Sequence, residues 1–571
     1  MYIKKIGEVK APIIYISLTI ITVSIAYGLY FQYFWPAVIV AGCFFIFIFF
    51  STNKIFTIFI ALIFILGIGI NKNYYNVNIN KNFTGKVRIL ENKSYYKIIS
   101  YEGKRIYVKD EAFQGEVGER FILKGNFIKE KDMANGIIGN LKITSSKKLK
   151  GDIIYKLYET RKKIYFKLEE NIGKRKAGLI VSLAFGYSDY LDNEDLEDMK
   201  GMGVVHAISV SGLHVALVYG ILKKILKNKG ALLVTIIYVL LTGAEFSSLR
   251  ALIMIIFLSC SLDFRKNYNP LGGLALSALI ITLKAPYALF QLGFQLSFLA
   301  TLGIIIFSQK LNNKLYKLPK YLRESLSISL SAQVFTIPIM IIAFKEFSLG
   351  FIIGNILLVP IFDMLIKLGN LLLIVLPFSL LFDFVSFVIL KVINFLDFIM
   401  EYLYIFPQEI IINDWFALIY VCVFIGLYYS FKKDKRFILL PIIANIVFVI
   451  HIYSPLVRVD YYKEGAILIS YKGERALVTN KRNIDIKTLK KVSLTSNGYR
   501  EGKKISIKNN VEINRENKNF IMNIKGKHYI INMGNDKNFE EEYDIIDFKN
   551  DNLKGFYVLD DKIILYWGKV D

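Results

Sequence analysis

The chain has 571 residues, of which 54% are hydrophobic, and its 72 Lys and Arg outnumber its 47 Asp and Glu. Its apolar residues are concentrated in blocks of ~17 to 22, the length that crosses the ~30 Å hydrocarbon core of a bilayer. The composition therefore excludes a soluble globular protein. It predicts a polytopic α-helical membrane protein with about 11–13 spans plus re-entrant segments.

The predicted spans form two groups on either side of a polar region. They lie at 12–30, 34–50 and 55–70, and then at 203–222, 230–247, 248–263, 271–286, 290–308, 325–344, 361–378, 384–405, 413–430 and 437–454. Two further apolar runs, 177–188 and 351–360, are short and are expected to be re-entrant or interfacial. Irregular backbone at membrane depth needs protein or enclosed water around it.

The distribution of Lys and Arg over the short loops predicts the orientation. These residues accumulate before the first span, at 223–229, at 310–323 and at 432–436. Short loops rich in Lys and Arg stay in the cytoplasm. The N-terminus is therefore predicted inside, and the polar regions 71–175 and 456–571 are predicted outside.

Residues 79–150 are predicted to form a small external β-barrel. The runs KVRIL, SYYKIISY, KRIYVKD and RFILKGNFI are short, β-branched and aromatic, and turn residues separate them. Over 71–150, 17 Lys and Arg stand against 8 Asp and Glu. Such a face suits single-stranded nucleic acid, although the same alternation occurs in any half-buried strand. The DNA-binding candidates are Lys97, Lys104, Arg105, Tyr95, Tyr96 and Tyr101.

Polar residues at membrane depth are candidates for a passage through the bundle. His206, Ser209, Ser211 and His214 share one apolar run with Gly212. Polar side chains are costly against lipid, which favours either an enclosed passage or hydrogen bonding between helices. Further candidates of this kind are Gln291, Gln295, Gln333, Asn355, Asp363 and Lys367.

Motifs for cofactor chemistry are absent from the sequence. It has no G-x-x-x-x-G-K-[ST], H-E-x-x-H or C-x-x-C, so no ATP site, metal or cofactor is predicted. Ser211 and His214 could be the nucleophile and base of an intramembrane hydrolase. No orienting group or oxyanion hole is identifiable for them, so this alternative is the weaker one.

Four stretches resemble, in order, the ComEC family of bacterial DNA-uptake channels. They are GMGVVHAISVSGLHVAL (201–217), LTGAEFSSLRALIM (241–254), LFQLGFQLSFLATLGI (289–304) and SAQVFTIPIM with FSLGFIIGNILLVP (331–340 and 347–360). The resemblance covers about 177–380 and adds Arg250 and Gly293 to the candidate residues. It implies an OB-like fold for the external β domain.

The resemblance also implies a function and a division into domains. The expected function is import of single-stranded DNA across the bacterial cytoplasmic membrane during natural transformation. The expected partners are single-stranded DNA, membrane lipid, a DNA receptor, a separate nuclease and a cytoplasmic helicase-like ATPase, with a homo-oligomer left open. The expected domains are three N-terminal helices (1–70), the OB-like domain (71–150), an amphipathic or interfacial connector (151–200), the channel (201–455) and a degenerate β-rich C-terminal domain (456–571).

Members of this family often continue into a metallo-β-lactamase-like nuclease domain, from which this chain departs. Beyond position 214 its only histidines are His451 and His528, too few for the ligand cluster of a two-metal nuclease. No enzymatic activity is therefore expected. The alternatives left open are transport of another anionic polymer or solute, and the intramembrane hydrolase.

Overall fold

The computed structural model divides into two compact units, Met1–Ile337 with Ser348–Gln408, and Pro338–Phe347 with Glu409–Asp571. It describes residues 11–567 except for 32, 78, 94, 111–112, 208–211, 345, 349, 404–409, 412–417, 420, 424, 427–436, 438, 463–464, 480–485, 496, 501–504, 509–510, 517–518, 525–526, 533–543, 549–552 and 560–561.

The first unit is helical apart from one barrel. In chain order the helices that begin in it are α1 (Pro12–Tyr30), α2 (Phe34–Ser51), α3 (Lys54–Tyr75), α4 (Ile153–Ile172), α5 (Lys174–Phe185), α6 (Asn193–Gly201), α7 (Gly212–Leu241), α8 (Phe246–Asp263), α9 (Pro270–Lys284), α10 (Leu292–Lys314), α11 (Lys320–Phe344), α12 (Phe351–Leu357), α13 (Val359–Val375) and α14 (Ser379–Leu403). In the described part of the chain, seven helices are long and apolar enough to cross a membrane: α1, α2, α3, α8, α10, α11 and α14. The pair α12 and α13, bent by 48° between them, would be an eighth.

The predicted helical class is confirmed, whereas the predicted number of spans stays a prediction. α9 has 15 residues and the helix Leu439–Ile452 has 14, so both are shorter than a full span. Much of the predicted span 413–430 lies outside the described residues. Length and composition alone thus support fewer spans than the sequence pattern predicts.

α7 consists of two helices that meet at Lys227, whose φ of 56° and ψ of −176° are not helical. Tyr219 and Asn228 are nine residues apart, yet Tyr219 Oη donates to Asn228 Oδ1 at 2.5 Å. A straight helix would separate them by ~13.5 Å along its axis, so the two parts bend back at the Lys-rich turn. The predicted start of this span at 203 is wrong, because 205–207 form a 3₁₀ turn and α7 begins at Gly212.

Five strands form a closed barrel in the order β1-β2-β3-β5-β4. They are β1 (Asn82–Asn92), β2 (Lys97–Tyr101), β3 (Lys104–Val108), β4 (Arg120–Ile128) and β5 (Ile137–Lys148). β1 pairs with β4 to close the barrel, and β3 and β5 are parallel. Apolar side chains such as Ile89, Ile106 and Leu123 fill its interior. The four predicted strands are confirmed, but β5 was missed because its second half, TSSKK, is polar.

α5 is enclosed by protein, and a re-entrant or interfacial position for 177–188 stays a prediction. Every residue from Ala177 to Phe185 is buried. α4 and α13 pack against it, and Gly369 of α13 allows close approach, since a Cβ there would lie 2.6 Å from the Ala184 Cβ. A 12-residue helix cannot span the hydrocarbon core, so it is stable in the bundle only with its polar ends satisfied by neighbours.

The second unit contains α15 (Leu439–Ile452), α16 (Ile486–Val492) and the remaining strands. The strands are β6 (Glu346–Phe347), β7 (Ile410–Ile411), β8 (Val457–Tyr462), β9 (Ala466–Tyr471), β10 (Glu474–Thr479), β11 (Asn497–Arg500), β12 (Ile505–Ile507), β13 (Val511–Glu516), β14 (Asn519–Ile524), β15 (Lys527–Asn532), β16 (Asp544–Asp547), β17 (Leu553–Leu559) and β18 (Lys562–Trp567). One sheet has the order β11-β10-β9-β8-β17-β18, a second has the order β12-β13-β14-β15-β16, and β6 pairs with β7. The two larger sheets share one apolar core. The predicted β-rich C-terminal region is confirmed.

Candidate functional site

The buried C-terminal end of α5 is capped by side chains from α4 and α7. The last carbonyls of a helix have no partner within it, and lipid offers none. Here His214 hydrogen-bonds the main chain of Leu183, and Tyr238 Oη donates to the Ala184 carbonyl at 2.9 Å. Arg161 Nη1 donates to the next carbonyl, that of Phe185, at 3.4 Å. His214, only 1% exposed, therefore stabilises a helix end inside the bundle.

The segment before His206 packs against the short helix α12. A Cβ on Gly354 would lie 2.5 Å from the Met202 carbonyl oxygen, and one on Gly203 would lie 2.7 Å from the Phe351 Cβ. Ser348 Oγ donates to the Gly201 carbonyl. The two irregular segments singled out from the sequence, around 203 and 351–360, therefore lie side by side. Asn355 of α12 is half-buried here.

His206 and His214 have different surroundings, although one short segment separates them. His206 hydrogen-bonds the main chain of Gly203 and is exposed, whereas His214 is buried. The two rings are close enough to interact electrostatically. Ser209 and Ser211, which were predicted to lie between them in the passage, fall outside the described residues.

Three of the segments that resemble the ComEC family meet at Arg250 of α8. Its Nη1 donates to the main-chain carbonyl of Ser297 in α10. Gly212, the first residue of α7, lies against the same guanidinium, so a Cβ at 212 would overlap Arg250 Nη2. Arg250 is 8% exposed, and its Nε has no hydrogen-bond partner in the described part of the chain. The chain thus buries a cation where α7, α8 and α10 come together.

Gly293 has open space beside it, unlike Gly212. No atom lies within 4 Å of a Cβ built on Gly293, which is exposed at the start of α10. A close contact of α10 occurs at Gly303, where a Cβ would overlap the Ser331 carbonyl oxygen of α11.

Two of the predicted glutamines bond within their own part of the chain. Gln295 Nε2 donates to the Leu289 carbonyl at 2.8 Å and so closes the turn before α10. Gln333 Oε1 accepts a bond from Thr336 Oγ1 at 3.0 Å, one turn further along α11. These bonds satisfy polar groups at membrane depth without joining separate helices. Of the predicted residues, Gln295 and Gln333 therefore fit a role in helix packing best.

Gln291 joins the helical bundle to the barrel. Its Nε2 donates to the Ala134 carbonyl at 2.7 Å, in the loop 129–136 between β4 and β5. The end of α3 holds the same loop, because Tyr74 Oη donates to the Gly136 carbonyl at 3.0 Å and Tyr75 Oη to the Met133 carbonyl at 3.1 Å. Four residues of the bundle therefore hold this loop, since Tyr287 also lies against Gly136. No pattern in the sequence indicates this role for Tyr74, Tyr75 or Tyr287.

Arg105 faces the bundle, and the surface position expected for a DNA contact is therefore wrong. Its guanidinium pairs with Glu91 and lies over the Tyr287 ring at 5.1 Å, and the residue is only 7% exposed. Its neighbour Lys104 points to the other side of the strand and is half-buried, with Nζ donating to the Asn73 carbonyl at 3.1 Å. Burial lowers the pKa of Lys104.

Three of the remaining barrel candidates, Tyr95, Tyr96 and Lys97, lie around the loop between β1 and β2. Tyr95 at its tip is 83% exposed. Tyr96 packs edge-on against Tyr107 of β3, with ring centroids 5.0 Å apart, and Lys97 Nζ lies 5.8 Å from the Phe113 centroid. Tyr107 Oη donates to Asp132 Oδ2 at 3.2 Å, so this loop and the β4–β5 loop lie at the same end of the barrel. Tyr101 is half-buried against Phe83.

Asp363 and Lys367 lie one turn apart on α13 with different exposure. Asp363 Oδ1 is buried without a hydrogen-bond partner among the described residues, and Lys367 is exposed. Across the described ranges, no group of three or more His, Cys, Asp or Glu side chains could hold a metal ion. Cys43, Cys260 and Cys422 are free thiols.

The comparison with known families covers the bundle just described. Residues 183–434 match the family model for the competence protein family. This range runs from the end of α5 through α14 and includes the segments that meet at Arg250. A stretch of 226 residues is 31% identical to ComE operon protein 3 of Bacillus subtilis (strain 168), over 38% of this chain and 28% of that protein.

This chain contains a competence protein domain over residues 183–434. It is also 31% identical over 168 residues to the uncharacterized protein MG316 of Mycoplasma genitalium, which is 28% of this chain and 42% of that protein. The chain thus matches less than half the length of each of these curated relatives. No solved structure matches it. The long apolar helices are consistent with a multi-pass membrane protein of this family.

Proposed function

We propose that this competence protein is the conduit through which one DNA strand crosses the cytoplasmic membrane of a bacterium during natural transformation. The observation that carries the proposal is the attachment of the barrel to the bundle. Gln291, directly before α10, bonds the barrel loop at Ala134, and Ser297 in the next turns of α10 accepts from the buried Arg250. The barrel is thus attached to the bundle next to the competence segments.

The barrel is proposed to be OB-like and to receive the strand. The order β1-β2-β3-β5-β4, with β3 and β5 parallel, supports this fold. In OB-folds, oligonucleotides bind over strands 2 and 3 and the β1–β2 and β4–β5 loops. The bundle holds the β4–β5 loop, so the β1–β2 loop with Tyr95 and Lys97 is the part left open to a strand. Arg105 is not part of this proposal, since Glu91 and Tyr287 surround it.

The proposed orientation has the N-terminus in the cytoplasm and the barrel and C-terminal domain outside. The Lys-rich turn at Lys227 and the barrel are then on opposite sides of the membrane, in agreement with the tendency of Lys-rich short loops to stay inside.

The proposed partners are a DNA receptor, a separate nuclease and a cytoplasmic helicase-like ATPase. The sequence has no phosphate-binding loop, so the driving force is assigned to such a partner or to capture of the strand.

The C-terminal region is proposed to have no nuclease activity. Asp460 of β8 accepts bonds from Arg458 Nη2 at 2.8 Å and from Tyr566. These bonds support a structural role for its carboxylate. The purified full chain should neither bind zinc stoichiometrically nor cut DNA. Metal-dependent cleavage that disappears on mutation of residues 456–571 would contradict this.

Uptake of labelled DNA tests the proposed function. Cells that lack the gene should bind labelled DNA outside but contain no DNase-resistant single strand, and the full chain should restore it. Normal uptake in such cells, with loss of uptake of an inorganic polyphosphate or small anion, would favour the alternative of another anionic substrate. A serine-reactive probe that labels Ser211 would favour the intramembrane hydrolase.

A further inference from the structure

Arg250 is a buried cation whose charge has no counter-ion in the described part of the chain. Its guanidinium donates to the Ser297 carbonyl, and no charged side chain of the described residues acts on it. The acidic residue nearest in sequence, Glu245, acts electrostatically on Arg161 instead. An uncompensated buried ion costs several kcal/mol, so a buried Arg usually has a carboxylate or another anion beside it.

The helix ends around Arg250 add positive charge to the same place. α7 begins at Gly212, which lies against the guanidinium, and α8 begins at Phe246, one turn before Arg250. The N-terminal end of a helix carries a partial positive charge, which a cation opposes and an anion satisfies. The surroundings therefore disfavour the Arg250 charge and favour an anion next to it.

The absence of a side chain at position 212 brings the guanidinium to the end of α7. A Cβ at Gly212 would overlap Arg250 Nη2, and it would also lie 3.5 Å from the Ala251 Cβ. The guanidinium is thereby held between α7 and α10. Its Nη1 donates to the Ser297 carbonyl, whereas its Nε has no hydrogen-bond partner in the described part of the chain. A planar guanidinium with free donors is the side chain best suited to phosphate.

The position of Arg250 relative to the barrel indicates which anion reaches it. Gln291 bonds the barrel loop, and Ser297 is six residues further along α10, or ~9 Å along the helix axis. Arg250 thus lies a short distance below the barrel attachment, inside the bundle.

We propose that Arg250, with the N-terminal ends of α7 and α8, binds a backbone phosphate of the single strand as it leaves the barrel and enters the bundle. This inference rests on the proposed function and adds a phosphate subsite to it. Successive phosphates of the strand exchange at Arg250, so the counter-ion of the buried cation is the substrate itself. The site is independent of base identity, because it contacts only the backbone.

Binding of a fluorescent dT oligonucleotide to the full chain in lipid nanodiscs, measured over a range of salt concentrations, tests the subsite. One phosphate contact contributes ~0.7 to the slope of log K against log salt for a single strand. Arg250→Gln should therefore lower the slope by about 0.7, and Arg250→Lys should keep most of it. Arg175→Gln is the matched control, since Arg175 has two carboxylates, Asp195 and Asp397, and should keep the wild-type slope.

A second pair of variants tests the subsite without removing Arg250. Ala251→Asp gives the guanidinium a permanent carboxylate, so it should weaken oligonucleotide binding. Ala251→Asn is its uncharged control. The Asp variant should unfold at the same temperature as the Asn variant or at a higher one. The subsite would be overturned if Arg250→Gln kept the wild-type slope of log K against log salt. It would also be overturned if the two Ala251 variants bound the oligonucleotide equally well. Neither result would contradict the proposed conduit. If the wild-type chain binds neither a dT oligonucleotide nor inorganic polyphosphate even at low salt, both proposals fail. If it binds only inorganic polyphosphate, in an Arg250-dependent way, the DNA conduit fails and the phosphate subsite remains.

Discussion

Arg250 of α8 donates a hydrogen bond to the main-chain carbonyl of Ser297 in α10, 47 residues further along the chain. The same guanidinium lies against Gly212 at the start of α7. One side chain therefore joins the three helices that carry the segments on which the family assignment rests. Since the acceptor is a main-chain atom, this bond does not depend on the side chain at position 297.

Gly212 and Gly293 should respond differently to the same substitution. Gly212→Leu forces the guanidinium of Arg250 away from α7, because a Cβ at 212 overlaps Arg250 Nη2. Overpacking of this kind costs about 1–3 kcal/mol, so we expect loss of DNA uptake and a lower unfolding temperature. Gly293→Leu is the matched control, since nothing lies within 4 Å of its Cβ position. Uptake at matched membrane levels measures both, and wild-type uptake by Gly212→Leu would contradict the role of this helix contact.

Arg105 should contribute to the attachment of the barrel and not to DNA binding. Arg105→Gln removes the pair with Glu91 and the cation over Tyr287, so the unfolding temperature should fall. The loss of the ion pair itself costs less than about 1 kcal/mol, because the Glu91 side chain is 42% exposed. The double variant with Glu91→Gln should recover part of this loss. A reduced salt slope of oligonucleotide binding with unchanged stability would show instead that Arg105 contacts phosphate.

Tyr95 should bind a base without contributing to folding. Its ring is 83% exposed, so Tyr95→Ala should leave the unfolding temperature unchanged. If the ring stacks on a base, oligonucleotide affinity should fall by about 1–3 kcal/mol. Tyr96→Ala should lower both the unfolding temperature and the oligonucleotide affinity, because the Tyr96 ring packs against Tyr107. Unchanged affinity in Tyr95→Ala would indicate that this end of the barrel does not hold the strand.

The stability of the barrel should fall in strong alkali in a way that depends on Tyr107. Burial, the charge of Asp132 and the hydrogen bond to it raise the pKa of Tyr107 to about 12. In the unfolded chain a tyrosine loses its proton near pH 10, so stability is lost as the pH rises from about 10 to 12. Tyr107→Phe should be less stable at neutral pH but should lose less stability over this range. Thermal unfolding at several pH values measures this, with Tyr95→Phe as the exposed control.

The orientation can be tested with single cysteines in a chain from which Cys43, Cys260 and Cys422 have been removed. Glu102→Cys and Lys527→Cys are exposed positions in the barrel and in the C-terminal sheets. Both should react with an impermeant maleimide in intact cells. Lys224→Cys, in the Lys-rich turn, should react only after the membrane is opened. The opposite pattern at either external position would reverse the proposed orientation.

Local patterns in the sequence are enough to predict the helical membrane class, four of the five barrel strands and the family resemblance. These properties depend on local patterns: the length of an apolar block, the alternation along a strand, and the order of short motifs. β5 and the break before Gly212 were missed for the same reason. The polar TSSKK end of β5 looks like a loop, and an apolar run gives no sign that its first residues form a 3₁₀ turn.

The contacts of each candidate residue depend on the tertiary structure. Gly212 and Gly293 stand in similar motifs, yet one lies against Arg250 and the other faces open space. Lys104 and Arg105 are adjacent, but the strand turns one towards the end of α3 and the other towards Tyr287. His214 caps the end of a helix that is about thirty residues earlier in the chain. Contacts between distant segments depend on how the helices pack, and residue type and spacing do not encode that packing locally.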